Sequence, residues 1–146
     1  MKADWILIAN ATRARVLQRK PDARVVEVQS FEHPQSRSKV SDLADDRAGS
    51  ERTDRSFGGT SYAPRVDAKQ KEHLRFAREL AEYLERQANE GRFQSLQVFA
   101  SSPFLGELKS ELGSATARLL EGTHDLDLTM VGPAELGRRI AQAIER

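Results

Sequence analysis

The chain has 146 residues, 31% of them charged and 38% hydrophobic, with a net charge of +1. That is enough for one domain with a real core and too little for two of ordinary size, and it supplies no global pull toward nucleic acid. No apolar run approaches the roughly 20 residues of a membrane helix, the apolar patch ending at Ala9 is too brief for a secretory signal, and the lack of cysteine removes disulfides and thiolate sites. Composition thus predicts a single cytoplasmic domain over residues 1–146, with no membrane segment and no cofactor.

Trp5 to Ala9 is a continuous apolar run of β-formers, which predicts a strand buried on both faces and central in its sheet. Asn10-Ala11-Thr12 supplies turn chemistry, and Ala14 to Arg19 alternates as a second, antiparallel strand. Pro21-Asp22 turns the chain into a third strand from Arg24 to Phe31. The arginines of this stretch, Arg13, Arg15, Arg19 and Arg24, read better as a solvated strand face than as a basic patch.

From Glu32 to Val66 strand and helix patterns both fail, apart from a short helical turn over Val40–Asp46. This predicts a loop over 32–66, well beyond the ~12–15 residues usual inside a compact domain, and so either functional or disordered. Pro64, Asp67 as an N-cap and Gln70 bonding back to it then open an amphipathic helix that ends at Gly91. Its apolar face holds Phe76, Ala77, Leu80, Tyr83, Leu84 and Ala88. Lys71, Glu72, Arg75, Arg78, Glu79, Glu82 and Arg86 fall mostly on the other face.

Gln94 to Ala100 is a fourth strand. Ser102 as cap and Pro103 at the first helical position open a helix that buries Phe104, Leu105, Leu108 and Leu112 and stops at Gly113. Arg118 to His124 is expected as a fifth strand, followed by a loop through Asp125 and Thr129. Pro133 starts a last helix with Leu136, Ile140, Ala143 and Ile144 on one face and Arg138 and Arg139 outward. The order βββαβαβα is that of an α/β, ribonuclease H-like three-layer fold with a mixed five-stranded sheet and helices on its faces.

The catalytic apparatus of a metal nuclease is not in place, because neither the first nor the fourth strand carries a carboxylate in its interior. The three histidines, His33, His73 and His124, form no ligand pair and read as surface or interface residues. Ser101-Ser102 lacks the glycines of a nucleophile elbow, and Gly58-Gly59 lacks a phosphate-loop frame and reads as a flexible turn.

Several segments together resemble the bacterial family of proteins required for attachment to host cells. They are Trp5–Asn10 with Arg13-Ala14-Arg15, Arg37, Asp42-Leu43, Asp46-Arg47-Ala48-Gly49, Phe76-Ala77, Ala100–Leu108 and Asp127-Leu128-Thr129. That family looks like a branch of the bacterial and archaeal relatives of the eukaryotic class-I peptide-chain release factor, whose middle domain is ribonuclease H-like. In release factors a Gly-Gly-Gln tip before the main helix reaches the peptidyl-tRNA ester. Here Phe57-Gly58-Gly59-Thr60-Ser61-Tyr62 keeps the glycines and loses the glutamine.

The resemblance therefore implies a non-catalytic or marginally catalytic ribosome- or tRNA-associated factor. Arg52, Arg55, Phe57, Gly58, Gly59, Thr60, Tyr62 and Arg65 would be its RNA contacts. A factor in attachment to a host cell surface, and a peptidyl-tRNA hydrolase or nuclease, are the alternatives, and the oligomeric state stays open. Among the motif residues, Asn10 is expected to bond turn backbone, while Arg13 and Arg15 pair with acids such as Asp42 or Asp46. If the loop is a reaching arm, limited trypsin cuts after Arg52, Arg55 or Arg65 and spares Arg75 and Arg78. Resistance throughout would contradict a mobile arm.

Overall fold

The computed structural model describes residues 3–33 and 58–145, with side-chain surroundings in the long helix described from Ala68 onward. The chain opens with β1 (Ala3–Ala9), β2 (Arg13–Arg19) and β3 (Val25–Glu32). Then come α1 (Gly58–Asn89), β4 (Phe93–Ala100), α2 (Phe104–Glu111), α3 (Ser114–Leu119), β5 (Leu120–His124) and α4 (Pro133–Ile144). The strands lie in the order β3-β2-β1-β4-β5, with β2 antiparallel to both neighbours and the pairs β1/β4 and β4/β5 parallel. This is the mixed sheet expected of the α/β, ribonuclease H-like arrangement.

β1 is central because it is apolar on both faces. Trp5, Leu7 and Ala9 join Ala14, Val16, Phe76, Leu80, Leu84 and Phe104 in one core beneath α1 and α2. Ile6 and Ile8 point the other way, to Leu17, Phe99, Leu128, Leu136 and Ile140 beneath α4. Each such large side chain contributes about 1.5–3 kcal/mol of burial, so a polar residue on either face of β1 would damage one of the two cores.

α1 is longer than its sequence signals suggest. It begins at Gly58, so Pro64 and Asp67 lie inside the helix and Asp67 is no cap. A helix anchored downstream gains a hydrogen bond for each residue added, while an interior proline forfeits one. The expected 32–66 loop is shortened accordingly, and Arg65 falls within the helix. The Val40–Asp46 turn lies outside the described residues. At the other end Gly91 has φ 73°, and the N–H groups of Gly91 and Arg92 close on the carbonyls of Ala88 and Gln87, as the glycine stop predicts.

Two local expectations change. Ser102 does not cap α2: the residue before the helix is Pro103, without a side-chain cap, and the carbonyl of Ser101 accepts from the Leu105 N–H instead. The expected strand from Arg118 begins only at Leu120, because Ser114–Leu119 forms α3. The cap of α3 comes from α1. Glu85 accepts from the N–H groups of Ala115 (3.1 Å) and Thr116 (3.0 Å) and from the Thr116 hydroxyl (2.8 Å). Gly113 leaves room for that approach, since a Cβ there would overlap the Glu85 carboxylate and displace it from its cap.

The Thr116 N–H, against a smaller opposing effect of burial and with help from the Thr116 hydroxyl and the Ala115 N–H, holds the Glu85 carboxyl below its ordinary value of 4.5. Its contribution to stability is therefore present above that value and lost as pH falls through the lowered one. Glu85→Ala should cost about 1–2 kcal/mol in urea unfolding at neutral pH, as a lost cap does. The gap to the parent chain should close on acidification well below 4.5. A gap unchanged in acid would mean that Glu85 acts through packing and not as a carboxylate.

Candidate functional site

β1, β3, β4 and β5 all end at the same edge of the sheet, the edge where open α/β sheets carry their ligand-facing loops. Asn10 follows β1 there and uses both ends of its amide. Its Oδ1 accepts from the Thr12 N–H (2.8 Å), the Thr12 hydroxyl (3.0 Å) and the Arg13 N–H (2.9 Å), which closes the β1–β2 turn. Its Nδ2 donates to Asp127 Oδ2 (3.2 Å) and Thr129 Oγ1 (3.0 Å), in the loop that leads to α4.

Thr129 completes the ring by donating to Asp127 Oδ1 from its hydroxyl (2.6 Å) and its N–H (2.9 Å). Desolvation by that loop pushes the Asp127 carboxyl upward, but the Thr129 donors, the Asn10 amide and the nearby Arg13 charge together outweigh it and leave it below its ordinary value. A carboxylate held ionised by donors that already satisfy it is an anchor and a poor general base.

Two further connections reinforce this edge. Asp125 accepts from the Ser102 N–H (3.1 Å) and hydroxyl (2.9 Å), tying the turn after β4 to the loop after β5. This explains Ser102 in place of the expected cap. On the other side His33, directly after β3, donates its N–H to the Thr12 carbonyl (2.8 Å) and stacks on Phe76 at 5.1 Å. Its Nε2 lies 2.9 Å from Glu72, which also receives Arg75 at 2.9 Å. His33 and Glu72 are both 6% exposed, so His33 is no surface residue and Glu72 does not belong to the outer face of α1. His124 is likewise partly buried, stacked on Phe99 at 4.3 Å and bonded to Gln97 at 2.8 Å, and burial pulls its pKa down.

Of the sequence-derived residues, the structure brings Asn10, Arg13 and Arg15 to this end of β1 and β2. Arg13 lies 3.5 Å from the Met130 sulfur, and Arg15 pairs with Glu27 at 3.0 Å, an acid from β3. Asn10 thus takes the turn-bonding role expected of it. The proposed partners Asp42 and Asp46, with Arg37, Arg47, Arg52, Arg55 and Phe57, lie outside the described residues. Gly58, Gly59, Thr60, Tyr62 and Arg65 belong to the first turns of α1 and not to a free loop or a flexible turn. Sequence reasoning missed Asp125 and the pairing of His33 with Glu72. For the Asp127 ring a local signal existed: Asp-x-Thr is an arrangement in which the acid bonds the backbone two residues on.

Asn10→Asp removes the Nδ2 donors and sets a second carboxylate beside Asp127. It should cost about 1–3 kcal/mol at neutral pH and reverse the local pH response. In the parent chain the Asp127 contribution is present above its ordinary value of 3.8 and lost as pH falls through the lowered one. In the variant the two acids share a proton, so the penalty shrinks on acidification. Chemical denaturation across that range reads the two slopes, and parallel slopes would contradict the ring.

The family model described as protein required for attachment to host cells matches residues 5–140. Among solved structures, that of an archaeal translation termination factor is similar over 98% of this chain and 39% of its own, at 16% identity and a TM-score of 0.48. A second, described as an archaeal protein, matches over 98% and 38%, at 16% identity and a TM-score of 0.47. The chain spans about two fifths of the length of those structures, and at these scores the likeness bears on neither activity nor partner. Comparison with curated proteins finds no match. Because the family model runs from Trp5 to Ile140, nearly the whole chain, this protein belongs to the family of proteins required for attachment to host cells.

Proposed function

We propose that the chain is a non-catalytic or marginally catalytic factor that associates with the ribosome or tRNA, and that α1 is its reaching element. One observation carries this reading. α1 runs back to Gly58, well ahead of Glu72 beside His33 at the end of the sheet, and Lys69, Gln70 and Lys71, the described residues just ahead of Glu72, are exposed. At 1.5 Å per residue, the 14 steps from Gly58 to Glu72 span about 21 Å of helix.

The Gly58-Gly59 pair heads that helix, in keeping with the resemblance to release-factor middle domains, and Thr60 in place of glutamine argues for binding without hydrolysis. Lys69 and Lys71 are exposed on the shaft and form no ion pair among the described residues, which suits phosphate contacts. Arg52, Arg55, Phe57, Gly58, Gly59, Thr60, Tyr62 and Arg65 remain the proposed RNA contacts. Aromatic residues there supply stacking and arginines supply charge. Such a role belongs in the cytoplasm.

Cosedimentation with ribosomes tests the reading. The protein should pellet with ribosomes at low salt and be released at high salt, as phosphate contacts require. Lys69→Ala with Lys71→Ala should weaken association and flatten its salt dependence by about one or two in log-log slope. Failure to pellet at either salt would overturn it. The family's own description favours a second reading, a factor in attachment to a host cell surface, and recovery of the protein at the cell surface on fractionation would decide for that.

A further inference from the structure

β3 is the outermost strand on its side of the sheet, and no described element pairs with its free edge. Every residue from Val26 to Ser30 is exposed. Val26 at 45% and Val28 at 39% are two of the three exposed large hydrophobics among the described residues. An eight-residue edge whose outward N–H and C=O groups pair with no other strand among the described residues, with exposed valines and no lysine or proline to blunt it, is a template for another strand.

The register with β2 indicates which strand fits. Val26, Gln29 and Phe31 lie opposite Gln18, Val16 and Ala14, and so share the face toward α1. Val25, Glu27, Ser30 and Glu32 lie opposite Arg19, Leu17, Arg15 and Arg13, and so share the face toward α4. Val28, where the register shifts, has no opposite residue. When a strand pairs with its own copy about a two-fold axis normal to the sheet, opposed residues must share a face. For an uninterrupted strand the axis then passes through a residue.

With the bulge, an axis between Val28 and Gln29 brings residues of one face together at every pair from Val25 to Glu27 and uses the full length of the strand. About it, Val25 meets Glu32 of the partner subunit, Val26 meets the partner subunit's Phe31, Glu27 meets the partner's Ser30, and Val28 meets the partner's Gln29, each twice. No like charges are opposed, an exposed valine covers an aromatic ring, and the whole strand is used. An axis through Glu27, by contrast, would set two Glu27 carboxylates face to face. We infer that the chain pairs with a second copy of itself through β3, antiparallel, joining the two five-stranded sheets into one.

Light scattering across micromolar concentrations should give a mass approaching twice the 16.4 kDa of one chain. Val26→Lys with Val28→Lys, both exposed in the single chain, should return it to the monomer with an unchanged circular dichroism spectrum. The chain has no cysteine, so Val28→Cys adds one thiol beside the axis. Mild oxidation should link it into a covalent dimer, whereas Glu121→Cys on the opposite edge of the sheet stays unlinked. A monomeric mass at every concentration, or linking no faster through Val28→Cys than through Glu121→Cys, would overturn the inference and leave this edge to an extended segment of another protein.

Discussion

The turn after β1 and the loop that leads to α4 are held together by the two-ended amide of Asn10. The fold has apolar cores on both faces of β1, so the chain must leave β5 and cross the end of the sheet to place α4 over the second core. The crossing segment carries polar backbone that needs partners. Within the segment the Leu126 N–H finds the Ala100 carbonyl and the Thr129 N–H finds Asp127, while Asn10, from the turn after β1, donates its amide to the Asp127 and Thr129 side chains. One side chain thereby fixes the β1–β2 turn and the entry to α4 relative to each other.

The same logic recurs around the molecule. Glu85 in α1 caps α3, Asp125 holds the turn after β4, and Glu72 holds His33 at the end of β3. Each is a charged or polar group reaching across 20 to 120 positions of sequence to satisfy backbone or side-chain groups that no local partner serves. The carboxylates of Glu72, Glu85, Asp125 and Asp127 are all engaged in this way. That is why the edge which in many α/β proteins carries reactive groups reads here as a rigid mount.

What could be read from sequence follows from this division. A continuous apolar run located β1, and apolar spacing located β2, β4, the body of α1 and α4, because burial is written in local pattern. The glycine stop at Gly91 was legible because glycine takes positive φ without steric cost. The start of α1 was misplaced, since Pro64 and Asp67 look like a boundary and helix propagation from an anchored body overrode them. α3 was invisible because its cap lies on another helix. His33 and Glu72 looked like surface residues because only their partners, far apart in the chain, make burial tolerable. The motif positions Asn10 and Asp127 were found, whereas the bond between them needed the fold.

The most direct test of this account is a double-mutant cycle between Asn10→Ala and Asp127→Ala, read by equilibrium unfolding. If the two side chains act as one connection across the edge, the double variant should lose clearly less than the sum of the singles, with a coupling of about 1 kcal/mol or more. Additive losses, with no coupling beyond error, would contradict the claim that this ring fixes the end of the sheet.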